Sequence, residues 1–224
     1  MTKPTALIAG ATGLVGTHLL KQLLSEDYYH QITVLTRKEL DLSDERLQIV
    51  ILPDFDQLAE YEHLFDVNHV YCCLGTTRKE AGSKLAFRKA ELDYPLQIAK
   101  LAKDKPSFQS FHVVTSIASS KFAAIYYNTL KGHLELALKG MKLRALKIYQ
   151  PSLLLGRRKK QRIQEELAKV VCFLLSFFII GSGKSPWAIH SQNLARSMFG
   201  VAKLGEAGTE TFTPRDMLIL NHKL

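Results

Sequence analysis

Covalent and metal cross-links have almost no material in this chain. Of 224 residues three are cysteine, two of them adjacent at Cys72 and Cys73, and no C-x-x-C pair occurs. That excludes a disulfide scaffold and a zinc ribbon, and it makes a reducing cytoplasm the expected compartment. The eight histidines lack metal-ligand spacing: His63 and His69 stand six apart, and no H-x-x-x-H occurs. No metal site is expected, and most histidines are expected at or near the surface. Long apolar runs are also missing. The longest, Val170 to Ile180, has eleven residues, one of them Ser176, against about 20 for a membrane-spanning helix. It reads as a buried or interface helix rather than a membrane-surface segment. The N-terminus passes from Thr2-Lys3-Pro4 into an apolar strand pattern without the h-region of a signal peptide. Acidic residues are the scarcer charge, 21 against 30 Lys and Arg, for a net +9. Part of the excess is the run Arg157-Arg-Lys-Lys160 with Arg162. No nucleic-acid motif or interleaved aromatic pattern accompanies it, so it reads as a solvated loop beside an anionic-cofactor cleft.

The chain does have a regular alternation. Thr5–Ala9, Gln31–Leu35, Leu47–Leu52, Val70–Leu74, Phe111–Thr115 and Leu143–Tyr149 are apolar runs of strand length. Several are nearly continuous, as strands buried on both faces are. Helical spacing lies between them at Leu14–Leu24, Leu58–Phe65, Lys84–Lys103 (with a break expected near Pro95) and Tyr126–Lys139. The pattern predicts an α/β fold: one doubly wound parallel sheet with helices on both faces. After Pro151 the rhythm changes. A helix over Ile163–Phe178, a turn at Gly181–Pro186, a helix around Gln192–Leu204 and an extended piece at Thr209–Thr213 suggest a small C-terminal substrate lobe over 152–224, within a single domain of 1–224.

Gly10-Ala-Thr12-Gly13-Leu14-Val15-Gly16 lies between the first strand and the first helix. Such a turn suits a dinucleotide pyrophosphate: the glycines allow close backbone approach, and the helix N-terminus presents unpaired N–H groups to an anion. The second strand runs into Arg37 and Lys38, where an NAD site usually has an acidic residue for the ribose hydroxyls. Two cations there suit the 2′-phosphate of NADP(H). Asp54 and Phe55, just past the third strand, lie where the chain would pass the adenine. The fourth strand ends in Cys73-Leu74-Gly75-Thr76-Thr77, a loop expected to border the cofactor at the strand C-termini. Cys72 and Cys73 read as alternating strand residues rather than as a redox pair.

The fifth strand delivers Thr115 and Ser116. Eleven residues later comes Tyr127, with Lys131 at i+4 on one helical face. A neighbouring ammonium would lower the tyrosine pKa and ready its proton for transfer, and Ser116 would bind a substrate carbonyl oxygen. Tyr126 is the adjacent alternative, but its i+4 residue is Leu130. Carboxylate pairs such as Glu165-Glu166 read as helix surface.

Together these residues resemble the short-chain dehydrogenase/reductase superfamily, in its atypical members with a Gly-x-x-Gly-x-x-Gly turn. Val70-Tyr-Cys-Cys-Leu-Gly-Thr-Thr-Arg78 and Tyr127-Asn-Thr-Leu-Lys-Gly132 are similar to the Tat-interacting-protein branch of NADPH-binding oxidoreductase-like proteins. Bacterial relatives of that branch are labelled nucleoside-diphosphate-sugar epimerase-like. The resemblance covers roughly residues 5 to 156. It implies a Rossmann-type fold, NADP(H) as cofactor, and Ser116, Tyr127 and Lys131 as the catalytic set. Gln150-Pro151-Ser152 stands where extended and atypical members read Arg-Pro-Gly, and Pro151 would border the cofactor. The missing arginine weighs against a nucleotide-sugar substrate. The fourth member of the family's proton relay has no sequence match. The reading is an NADP(H)-dependent oxidoreductase acting on a small molecule. The alternatives are a cofactor-sensing protein that binds a protein partner, and an NAD-retaining epimerase or dehydratase.

Overall fold

The computed structural model describes residues 2–123, 125–156 and 188–223. The basic run at 157–162, the apolar run at 170–180, the helix expected over 163–178 and the turn at 181–186 lie outside the described residues.

Six strands follow the apolar runs: β1 Thr5–Ala9, β2 Gln31–Thr36, β3 Leu47–Ile51, β4 His69–Cys72, β5 Ser110–Val114 and β6 Ala145–Tyr149. Three more follow at Leu153–Leu155 (β7), Ala188–His190 (β8) and Gly208–Phe212 (β9). Seven of them form one parallel sheet in the order β3-β2-β1-β4-β5-β6-β9, and β7 pairs with β8 in a separate parallel ribbon. Chain order reverses direction between β1 and β4. A crevice therefore opens beyond their C-terminal ends, the place where doubly wound sheets bind ligands.

Alternation explains why the strands read as continuous apolar runs. On β1, Leu7 and Ala9 join the core on one sheet face, while Ala6 and Ile8 join the core on the other. The helices are α1 Leu14–Ser25, α2 Arg78–Ala81, α3 Lys84–Arg88, α4 Tyr94–Ala102, α5 Tyr126–Gly140, α6 Ser191–Leu204 and α7 Pro214–Lys223. A 3-10 segment spans Phe55–Phe65. It, α4 and α5 cover one face; α1 and α6 cover the other.

Two elements run differently from the sequence pattern. Between α3 and α4 there is no break at Pro95. The chain widens into a π-helical turn over Lys89–Asp93, with the Tyr94 N–H donating to the Lys89 carbonyl. A proline ring clashes with the carbonyl four residues back and brings no N–H, and a wider turn relieves both. That carbonyl belongs to Glu91. The second difference concerns residues 188–223. Strand β9 extends the main sheet, pairing Ala145 with Gly208 through Tyr149 with Phe212, and α6 packs along α1. This part of the segment is built into the sheet and its α1 layer.

Candidate active site

The glycine turn caps the crevice between β1 and β4. Gly10 has φ +89°, and a Cβ there would sit 2.5 Å from the Cys73 carbonyl oxygen. A Cβ on Gly16 would overlap the Gly10 carbonyl oxygen. Gly13 differs: its Cβ would meet nothing closer than 3.3 Å. Internal packing thus demands glycine at positions 10 and 16, while at 13 the contact is tight but relieved by a small shift. Gly13 is the N-cap of α1; its cap carries no side-chain hydrogen bond, and the first turn has no acidic residue. Thr12 is exposed, Leu14 half-buried and Val15 buried. The turn fits a pyrophosphate, with the N–H groups of the first helical turn free of side-chain competitors.

At the end of β2 the Thr36 hydroxyl donates to the Lys38 carbonyl at 2.9 Å and accepts from the Lys38 N–H at 3.3 Å. This tie fixes the bend and leaves Arg37 and Lys38 exposed. Asp54 caps the 3-10 segment by accepting from the Asp56 N–H at 2.8 Å. Phe55 is buried, 5.5 Å from the Tyr94 ring, so its side chain belongs to the core. Asp54 is exposed, so of this pair it is the aspartate and not the phenyl ring that faces outward.

The strand ends of β4 and β5 converge on α5. Leu74 and Thr76 are half-buried and Gly75 is exposed. Thr115 is buried, its N–H donating to the Tyr149 carbonyl at 2.8 Å. Ser116 Oγ lies 3.1 Å from Ser119 Oγ and 3.3 Å from Asn128 Oδ1. The loop that follows passes directly over α5: a Cβ on Gly132 would overlap the Ser120 backbone. Glycine after Lys131 therefore lets the Ser116 loop reach the helix. Pro151 is buried and its carbonyl accepts from the Ile117 N–H at 3.0 Å, tethering the same loop.

Tyr127 is half-buried, with Lys131 Nζ 5.9 Å from its ring centroid. Burial raises its pKa, opposed by the Lys131 charge and a hydrogen bond to Ser116. The expected lowering is thus outweighed, and the phenol stays protonated at neutral pH. Lys131 is 1% exposed. Its Nζ contacts Glu91 Oε2 at 2.8 Å and the Val114 carbonyl at 3.4 Å. Burial works to lower the Lys131 pKa, but the Glu91 carboxylate and Tyr127 outweigh it and push it up to about 12.

Glu91 is the residue that sequence reasoning missed. It is 1% exposed, and its second oxygen accepts from the Thr76 N–H at 2.6 Å. Lys-Ala-Glu-Leu-Asp reads as helix surface, and only the π-turn brings its glutamate inward. Gln150, in place of the family arginine, donates to both oxygens of buried Glu135 at 2.9 and 3.0 Å.

The remaining candidates are structural. Burial raises the Cys72 thiol to about 11 and the Cys73 thiol further, so neither is a thiolate nucleophile. Among the described residues no group of His, Cys, Asp and Glu could hold a metal. Six histidines are exposed or half-buried, as expected. His69 and His112 are not. They sit beneath the sheet face covered by α1 and α6, linked through Ser110 Oγ at 2.7 and 2.8 Å, with His112 reaching the Tyr149 hydroxyl at 3.1 Å.

Comparison with known proteins bears on the family and the fold. The NAD dependent epimerase/dehydratase family matches residues 6–133. Protein HTATIP2 of Rattus norvegicus is 32% identical over 191 residues, 84% of this chain and 75% of that protein. Protein FMP52, mitochondrial, of Debaryomyces hansenii is 29% identical over 160 residues, 70% of each. Among solved structures, MoeE5 in complex with UDP-glucose and NAD shares the fold at TM-score 0.69 and 14% identity, over 98% of this chain and 81% of its own. One expectation is corrected here. The fungal FMP52 relatives are named mitochondrial, which overturns the cytoplasmic assignment; a low cysteine content does not single out the cytoplasm. The chain belongs to the NAD dependent epimerase/dehydratase family, as an atypical short-chain dehydrogenase/reductase-like NAD(P)-binding protein of Rossmann-type fold.

Proposed function

We propose that this protein is an NADP(H)-dependent oxidoreductase that reduces a carbonyl-like group on a small molecule. One observation carries the reading: a half-buried, protonated Tyr127 stands beside a buried Lys131 on α5, next to Ser116 at the end of β5. These residues lie at the sheet end where the glycine turn opens.

When bound, the cofactor supplies the hydride. In this reading the turn from Gly10 to Gly16 holds the pyrophosphate, and Arg37 and Lys38 hold the 2′-phosphate. The Asp54-Phe55 backbone borders the adenine, and Leu74, Gly75, Thr76, Thr115 and Pro151 line the nicotinamide side. Ser116 Oγ–H donates to the substrate oxygen. Tyr127 delivers its phenolic proton to that oxygen as it becomes an alcohol, and then regains a proton from solvent. Lys131 holds the ribose hydroxyls and favours the transient phenolate. A phenol protonated at neutral pH suits the role of proton donor.

The test is Tyr127→Phe, assayed by NADPH oxidation against a panel of aldehydes and ketones. Turnover should fall about 100- to 10,000-fold, while calorimetric NADPH affinity stays within about threefold. Undiminished turnover would overturn the assignment. A second reading, an epimerase or dehydratase that retains NAD, is supported by the matched family description. Tighter binding of NAD than of NADP would favour it over the reductase.

A further inference from the structure

The Lys131 ammonium has three N–H donors. One goes to the Val114 carbonyl at 3.4 Å, and Glu91 Oε2 forms an ion pair with Nζ at 2.8 Å. The Tyr127 ring centroid lies 5.9 Å from the same nitrogen. Glu91 reaches this position from the π-turn, and its other oxygen takes the Thr76 N–H at 2.6 Å. One buried carboxylate thus joins two parts of the site that are distant in sequence: the loop after β4 and the lysine of α5. It also cancels the lysine's charge in a place with little water, where an unpaired ion is costly.

We propose that Glu91 is a positioning residue, its carboxylate clamping the Lys131 ammonium to the Gly75–Thr76 loop and keeping the surroundings of Tyr127 electrically neutral. The proposal rests on the oxidoreductase reading for its purpose, but its geometry stands without it. Held between the Glu91 carboxylate and the Val114 carbonyl, the Lys131 ammonium keeps one position, so a ribose hydroxyl meets a preset partner. With Glu91 in place, the lysine cannot drive Tyr127 to phenolate before hydride arrives. The titratable groups facing the pair are Glu91 from the π-turn, Tyr127 and Lys131 from α5, and Cys72 and Cys73 from the end of β4. Burial keeps both thiols neutral through the physiological range, which leaves Glu91 and Lys131 as the charges that matter.

The experiment titrates Tyr127 itself, by NMR of protein carrying 13C at the tyrosine ring carbon that bears the hydroxyl, with the signal assigned through Tyr127→Phe. The titration needs neither substrate nor cofactor, so its result stands apart from the success of the reductase assay; only the affinity measurement uses NADPH. Glu91→Gln should lower the Tyr127 midpoint by about one pH unit, because the lysine's charge is no longer cancelled. Glu91→Asp should leave the midpoint within a few tenths of a unit. Its shorter reach cannot hold both Thr76 and Lys131, so NADPH affinity should weaken several-fold. A midpoint that is unmoved or raised in Glu91→Gln overturns the neutralising role. If that variant does not fold, full NADPH affinity in a folded Glu91→Asp overturns the clamp. Loss of carbonyl reduction in the parent protein with the Tyr127 shift intact would sink the reductase reading and leave this one standing.

Discussion

Arg37 and Lys38 leave β2 at the one place where a short polar bend, tied by Thr36, turns two cations outward together. Charge-assisted hydrogen bonds to a phosphate are worth about 1.5–3 kcal/mol each, or roughly 10- to 100-fold in affinity. The double substitution of Arg37 and Lys38 to alanine removes two such partners and should therefore weaken NADPH binding by at least that factor, while leaving NADH within about threefold. Calorimetry with both cofactors decides it, and an equal loss for the two would remove the 2′-phosphate assignment. Their position was legible because the end of the second strand is a fixed point of the fold. Glu91 was not. Its neighbours read as helix surface, and no local signal tells that Pro95 will widen the preceding turn and swing the carboxylate inward. For Tyr127 the i,i+4 pair makes the lowering effect of Lys131 legible but not the larger opposing effect of burial, since burial depth cannot be read from such a pair.

Among the elements, the strand–turn–helix unit at the start of the chain separates two uses of glycine. A Cβ on Gly16 would overlap the Gly10 carbonyl outright, whereas one on Gly13 would come within 3.3 Å of the same oxygen, a tight contact that a shift of a few tenths of an ångström relieves. Gly16→Ala should destabilise the fold by several kcal/mol, through overpacking against backbone that has nowhere to move. Gly13→Ala should keep the melting temperature within a few degrees and weaken NADPH binding about tenfold or more. Thermal denaturation with and without NADPH reads both effects. A Gly13→Ala protein that binds normally would show that no ligand approaches this backbone. The six main strands were legible, since a strand buried on both faces has few alternatives to a continuous apolar run. Two short elements left signals that pattern reading passed over. Thr77 and Glu80 form a capping box on α2, and Thr213 with Pro214 and Asp216 starts α7. The docking of β9 had no local signal, because pairing with a strand some 60 residues earlier is a property of the whole sheet.

For the molecule as a whole, the sheet face under α1 and α6 carries an uncommon load of polar rings. Burial lowers the His69 pKa to about 4 and that of His112 well below its ordinary value. In the unfolded chain both would take up protons near 6.5. The native state, which keeps them neutral, is therefore fully favoured above that value and loses the advantage as pH falls toward 4. For His69 alone the loss amounts to about 3 kcal/mol once the pH reaches that lower value. Thermal denaturation should show a melting temperature at least about 5 °C lower at pH 5 than at pH 7, in a range where most carboxylates remain ionised. An unchanged midpoint would mean that the two rings are already charged in the native protein.

The seventh strand bears on how the protein is made. In the described sheet β6 has β5 on one side and only β9 on the other, so until synthesis has passed Phe212 its second side is a bare ladder of amide and carbonyl groups. A ribosome-bound chain holding β1 through β6 thus carries an open edge that any extended segment can join. A C-terminal deletion that removes β9 would make that transient state permanent, and the product to look for is an aggregate rather than a smaller folded protein.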